Sequence, residues 1–239
     1  MAATPFHAYR FDDGTIWSEF YRSEEGYVLR FPGLADFEIS MDGTKVVAYP
    51  TDDCDETTTE HLYVNQVVPL ALSRQGAPAF HASVVAIGDG AVAFLGQNGM
   101  GKSTLAASFA LGEASFLTDD ALIVEERNGA CFAMPSHASL RLWDDSAIAL
   151  AGKNVPRGSA LSYTDKNRLL AGDDLRFCSE PLHLVAAYVL LNDSVPGVQI
   201  EPLRGSQRTM KWIENSFLLD IEDQELLARH FDWTHRISG

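Results

Sequence analysis

The chain has 239 residues, 46% hydrophobic and 21% charged, an ordinary globular make-up with length enough to bury a core unaided. Its 33 acidic residues against 18 basic give a formal net charge of −15, which argues against a nucleic-acid binder and against docking on an anionic membrane. Cys54, Cys131 and Cys178 form neither CxxC nor a zinc spacing, the N-terminus has no apolar leader, and no apolar run approaches the ~20 residues of a membrane helix, so a reduced, cytoplasmic setting is expected.

Residues 6–49 alternate apolar with polar in five short runs, HAYRF, TIWSEFY, GYVLRF, DFEIS and KVVAY. Parted by DDG, EEG, PG and DG turns, they predict a small antiparallel meander. A T-x-x-E pattern at Thr57 and Glu60 predicts a helix that ends near Gly76, kinked or shortened by Pro69. FHASVVAI and AVAFL predict two strands joined by GDG, the second feeding a glycine-rich loop, and STLAASFALG predicts a helix stopped by Gly112. SFLTDD, ALIVEE, ACFAM and SLRLW predict further strands, with a hairpin at 127–129, and DDSAIALA a short helix. Residues 152–180 are rich in Gly, Pro, Ser, Asp and basic residues and read as a long loop or lid. LVAAYVLL and VQIEPL predict core strands, and QRTMKWIENSF and DQELLARHF closing helices.

One segment carries chemistry. Gly96, Gln97, Asn98, Gly99, Met100, Gly101, Lys102 and Ser103 fit G-x-x-x-x-G-K-[ST] without a mismatch, between a predicted strand and a helix that continues at Thr104. Glycines let successive backbone N–H groups curl round a phosphate, and the helix that follows aims its positive end at the same anion. Lys102 supplies a mobile charge for the β- and γ-phosphates, and Ser103 a hydroxyl for Mg²⁺. ATP and Mg²⁺ are therefore the expected ligands.

Seventeen residues beyond Lys102, Asp119 and Asp120 follow a short strand. Neighbouring side chains at a strand end point to opposite faces, so one carboxylate suits proton acceptance and the other a metal or a neighbour. His81 begins the strand beside the loop-feeding one. Alone, it reads as a core histidine.

Together these residues resemble the catalytic domain of bacterial HPr kinase/phosphorylase. A strand opening with His, a GxSGxGKS loop and an ADD strand end recur here as FHASVV, GQNGMGKS and TDD, over roughly residues 78–145. The resemblance implies an α/β P-loop fold with a mixed sheet (77–239), here preceded by a β-meander with one helix (1–76). It implies His81 in the active site, Asp119 as general base, and Asp120 as its partner near His81 and the metal, which Ser103 and Asp120 would hold. The family's EIRG segment is similar to Ser139–Leu142 here, which loses its Glu but keeps Arg141. An arginine-bearing stretch of the family is echoed at 201–208, making Arg204 and Arg208 candidates for the transferred phosphoryl charge. The layout is most similar to kinases that tailor lasso-peptide precursors, implying transfer to a serine hydroxyl of a peptide. A small-molecule hydroxyl acceptor, a non-catalytic ATP sensor and a homo-oligomeric state stay open. An ABC-type ATPase is disfavoured because no LSGGQ-like signature is present.

Overall fold

The computed structural model describes residues 4–11, 13–151, 155–191 and 197–238. The five alternating runs form β1 (His7–Arg10), β2 (Ile16–Arg22), β3 (Gly26–Phe31), β4 (Ala35–Ser40) and β5 (Val46–Pro50), paired antiparallel in sequence order. Alternation decides which face is buried. Leu29, Phe31, Phe37 and Ile39 point inward against Leu62, Val67 and Leu70 of the helical segment that follows. That segment starts two residues before the expected cap. Asp55 rather than Thr57 closes α1 (Glu56–Leu62), its carboxylate accepting from the Thr58 N–H at 2.8 Å, and Asp is the better acceptor of the two. A π-helical turn over Tyr63–Val67 leads into α2 (Val68–Arg74). Pro69 thereby falls in the first turn of α2, where its missing N–H leaves few bonds unmade.

The rest of the chain supplies β6 (Ala79–Phe80), β7 (Ala82–Ile87), β8 (Gly90–Leu95), α3 (Lys102–Ala110), β9 (Ser115–Thr118), β10 (Leu122–Arg127), β11 (Ala130–Ala133), β12 (Ser139–Leu142), α4 (Asp144–Ala151), β13 (Asn167–Leu170), β14 (Leu182–Val189), α5 (Ser206–Glu214) and α6 (Gln224–Ile237). A seven-stranded sheet runs β6-β10-β11-β14-β8-β7-β9, antiparallel except for the β14–β8 pair. The expected α/β class with a mixed sheet and a preceding antiparallel layer is what the chain adopts. Central β8 is buried along its whole length because both faces are covered. On one side lie α3 and the β12–β13 ribbon, and on the other Trp212 of α5 with Trp233 and Ile237 of α6. The β10–β11 hairpin turns through Asn128 and Gly129, both at positive φ (54° and 78°), as its right-handed twist requires.

Two expectations need correction. The stretch 152–180, read as a loop or lid, is largely irregular but contains β13 and buries Val155, Leu161, Leu169 and Leu175, which tie it to the core; residues 152–154 lie outside the described set. VQIEPL forms no strand, and Val198 and Ile200 are 92% and 72% exposed. β14 already has β8 and β11 on its two sides, so the sheet offers this segment no edge beside it. Ion pairs fasten the meander to the chain's end. Arg22 holds Asp220 at 2.7 Å, Arg74 holds Asp223, and the Tyr27 hydroxyl donates to Asp220 at 2.9 Å.

Candidate active site

The glycine-rich loop leaves β8 and enters α3. Gly96 sits at φ 144°, and a Cβ there would lie 2.9 Å from the Leu190 carbonyl oxygen, so glycine alone lets the loop pass the end of β14. Gly101, at φ 86°, caps α3 in the left-handed region with open space around it. The Gly96 N–H donates to Asn215 Oδ1 at 3.1 Å, and the His81 N–H to the Asn215 carbonyl at 2.6 Å, so the end of α5 anchors both the loop and the β6–β7 junction. Lys102 folds back over the loop, its Nζ donating to the carbonyls of Gly96 at 2.8 Å and Gln97 at 3.0 Å. Burial lowers its pKa, with the Asp120 and Asp119 charges opposing. Met100 lines the cavity beside the loop, while Thr104 turns aside to the Ser146 hydroxyl at 3.2 Å.

The two aspartates part as strand alternation demands. Asp119 is 1% exposed and turned into the interior. Ser83 Oγ donates to it at 2.6 Å, the Arg141 backbone N–H donates at 3.0 Å, and the Ser103 hydroxyl helps hold it. Burial and the neighbouring Asp120 charge raise its pKa despite these donors. Asp120 adopts φ 68°, rare for a residue other than glycine, and that turn puts its carboxylate on the wall of a cavity of about 910 Å³. Arg141 Nε donates to its Oδ2 at 2.9 Å, and Nη2 binds the same oxygen. Burial would raise the Asp120 pKa, but the Arg141 charge, with His81 and Lys166 behind it, holds the carboxyl below the usual range. The carboxylate facing the cavity is thus Asp120, whereas Asp119 faces the P-loop serine.

His81 lies in the bend between β6 and β7, its Nδ1 3.0 Å from the Asp120 carbonyl oxygen. A carbonyl only accepts, so Nδ1 carries the proton. Burial and the Lys102 charge push the His81 pKa down to about 4. Arg204 is not brought to the site. It sits on the exposed turn before α5 and lines neither the cavity nor the groove beside it, whereas Arg208 lines the groove that also holds Asn98–Thr104, Asp120 and Arg141. The additional cations on the cavity wall are Arg10, Lys166 and Lys211. Trp143 is half-exposed on the same wall, with Lys166 Nζ 5.2 Å from its ring centre.

A chain of contacts that no local pattern announces runs back from Arg141. Its Nη1 donates to Tyr163 Oη at 3.0 Å, and Tyr163 Oη lies 2.8 Å from His61 Nδ1. Asn65 Nδ2 donates to the His61 carbonyl and to His61 Nε2, both at 3.1 Å, so the amide cannot be reversed and Nδ1 is the protonated nitrogen. Burial, then the Arg141 charge, pushes the His61 pKa down to about 3 from 6.5. Between these values an unfolded chain binds the proton that the folded one refuses, so stability present at pH 7 is lost as pH falls. At pH 5 the loss from His61 is about 2 kcal/mol. Urea unfolding at pH 7 and pH 5 reads it: the difference should shrink by that amount in His61→Gln, and an unchanged difference removes His61 as its source.

Among the described residues, no three His, Cys, Asp or Glu side chains converge as they would on a metal. Ser103 and the adjoining Asp119 carboxylate make the sparse oxygen set that suits Mg²⁺ when phosphate and water supply the remaining ligands. Among the described residues, no helix is long and apolar enough to cross a membrane. No family model matches the chain, and no curated protein matches it either. Among solved structures, that of the Hpr(Ser) kinase/phosphatase from Coxiella burnetii is similar to 66% of this chain and 96% of its own, at 14% identity and a TM-score of 0.35.

Proposed function

We propose that the chain is an ATP-dependent phosphotransferase that modifies a serine hydroxyl of a peptide. The observation that carries the reading is the meeting, along one groove, of the phosphate-binding loop from Asn98 to Ser103 and the Arg141-held Asp120 carboxylate. The loop N–H groups, the start of α3 and Lys102 would bind the β- and γ-phosphates. Mg²⁺, when bound with the nucleotide, would neutralise phosphate charge, and Ser103 with Asp119 are the residues suited to hold it.

The same geometry favours exchanging the roles that the resemblance implied for the two aspartates. Asp120 faces the acceptor side and would receive the hydroxyl proton as the new O–P bond forms and the β–γ bridging bond breaks, releasing ADP. Its low pKa is no obstacle: in a loose phosphoryl-transfer transition state little proton transfer precedes bond breaking, so orientation outweighs basicity. Lys166 and Lys211 on the cavity wall, with Arg208 on the groove beside the loop, are better candidates than Arg204 for countering charge on the moving phosphoryl group. The test is intact-mass spectrometry of a serine-containing peptide after incubation with protein, ATP and Mg²⁺. Gain of one phosphoryl group on that peptide and none on its Ser→Ala counterpart is expected. Nucleotide binding without transfer to any hydroxyl acceptor would overturn the reading.

A further inference from the structure

The cavity that exposes Asp120 is roofed by the N-terminal meander. Tyr9, Phe11, Trp17 and Phe31 line it on one side, and Gly96, Gln97, Asp120, Arg141 and Lys166 on the other. An aromatic strip joins solvent to the carboxylate. The Phe11 ring lies 5.5 Å from that of Trp17, and Trp17 lies 5.0 Å from Tyr163. The Tyr163 hydroxyl meets Arg141 Nη1 at 3.0 Å, and Arg141 holds Asp120. Phe11 is half exposed, while its neighbour in the strip, Trp17, is firmly held and also packs on Phe31 at 5.1 Å.

Tyr163 has an unspent donor. Its oxygen accepts from both Arg141 Nη1 and the protonated His61 Nδ1, which leaves its own O–H for a further acceptor on the cavity side. A wall that is aromatic for most of its length, with a single hydroxyl donor beside an ionised carboxylate, suits an uncharged apolar group attached close to a hydroxyl.

Resting on the phosphotransferase reading above, we propose that this strip is the acceptor subsite. It binds a seryl peptide through an apolar or aromatic side chain next to the serine, laid on Phe11, Trp17 and Tyr163, with the Tyr163 hydroxyl donating to a peptide carbonyl. Residues 1–76 then act as the part of the chain that selects the acceptor, while the P-loop part binds the donor. The volume, about 910 Å³, is that of a site for a short segment rather than for a whole protein surface.

Two seryl peptides of equal length and charge, one with Phe and one with Gly beside the serine, test this. The native chain should favour the Phe peptide in kcat/KM by about ten-fold or more, through KM. Phe11→Ala should remove most of that preference with ATP affinity unchanged, and Phe11→Leu should restore part of it. Equal kcat/KM for both peptides overturns the subsite while leaving the kinase reading intact. Calorimetric titration with the two Ser→Ala peptides separates the claims further. Tighter binding of the Phe peptide, weakened by Phe11→Ala, with no transfer to its seryl form, supports the subsite and removes the kinase. Indistinguishable binding of the two overturns the subsite.

Discussion

Asp120→Asn is expected to slow phosphotransfer about 10²–10⁴-fold while ATP affinity stays within a few-fold of the native value. Asparagine is the informative replacement for three reasons. It tolerates the left-handed backbone at φ 68°, as few other residues do. Its amide oxygen can still accept from Arg141. Only the negative charge and the proton-accepting capacity are removed. Burying Arg141 without its counter-charge is itself expensive, about 3–5 kcal/mol where no partner remains, so the melting temperature must be followed alongside the rate. Asp119→Asn should behave differently. Its carboxylate is wrapped by Ser83, Ser103 and the Arg141 N–H and adjoins the P-loop serine, so its loss should raise the Mg²⁺ concentration needed for half-maximal rate. If Asp119→Asn is the variant that stops transfer at saturating Mg²⁺ and Asp120→Asn is not, the proton acceptor is Asp119 and the assignment made here is reversed.

The contrast between these two neighbours shows how far the sequence could be read. The β-meander was legible because each of its strands keeps one apolar face, and the phosphate loop because its chemistry demands fixed residue types at fixed spacing. That two adjacent aspartates diverge also follows from strand geometry. Which of them meets the cavity does not, because it depends on the positive φ of Asp120 and on Arg141 arriving from β12 to hold it. β13 was hidden for a related reason. NRLL sits in a polar, glycine-rich stretch, and its strand character comes from pairing with SLRL, Arg168 facing Arg141 across the ladder. Asn215 binds Gly96 from 119 residues away, and Tyr163 meets His61 across 102, separations at which no local pattern carries a signal. Arg204 is the opposite case: its type suits phosphoryl chemistry, but it lines neither the cavity nor the groove beside the loop, whereas Lys166 and Lys211 line the first and Arg208 the second.

Lys102→Ala should slow transfer by about 10²–10³-fold or more and weaken ATP binding in parallel, because the interaction removed is with the phosphates themselves. Stability should hardly change. The ammonium is 6% exposed and its pKa is lowered by burial, so desolvation offsets much of what its two carbonyl contacts contribute. The Gly96 and Gln97 carbonyls that lose their donor lie beside a cavity open to water. Lys102→Arg should fail to rescue, since a planar guanidinium fork cannot take the place of a compact ammonium resting on two loop carbonyls. Calorimetric titration with ATP and a thermal melt of each variant give the decisive pair of readings. Lost ATP affinity with an unmoved melting temperature marks Lys102 as a phosphate ligand. Unchanged affinity would mean that the loop, for all its sequence, does not bind nucleotide through this side chain, and the phosphotransferase reading would fall with it.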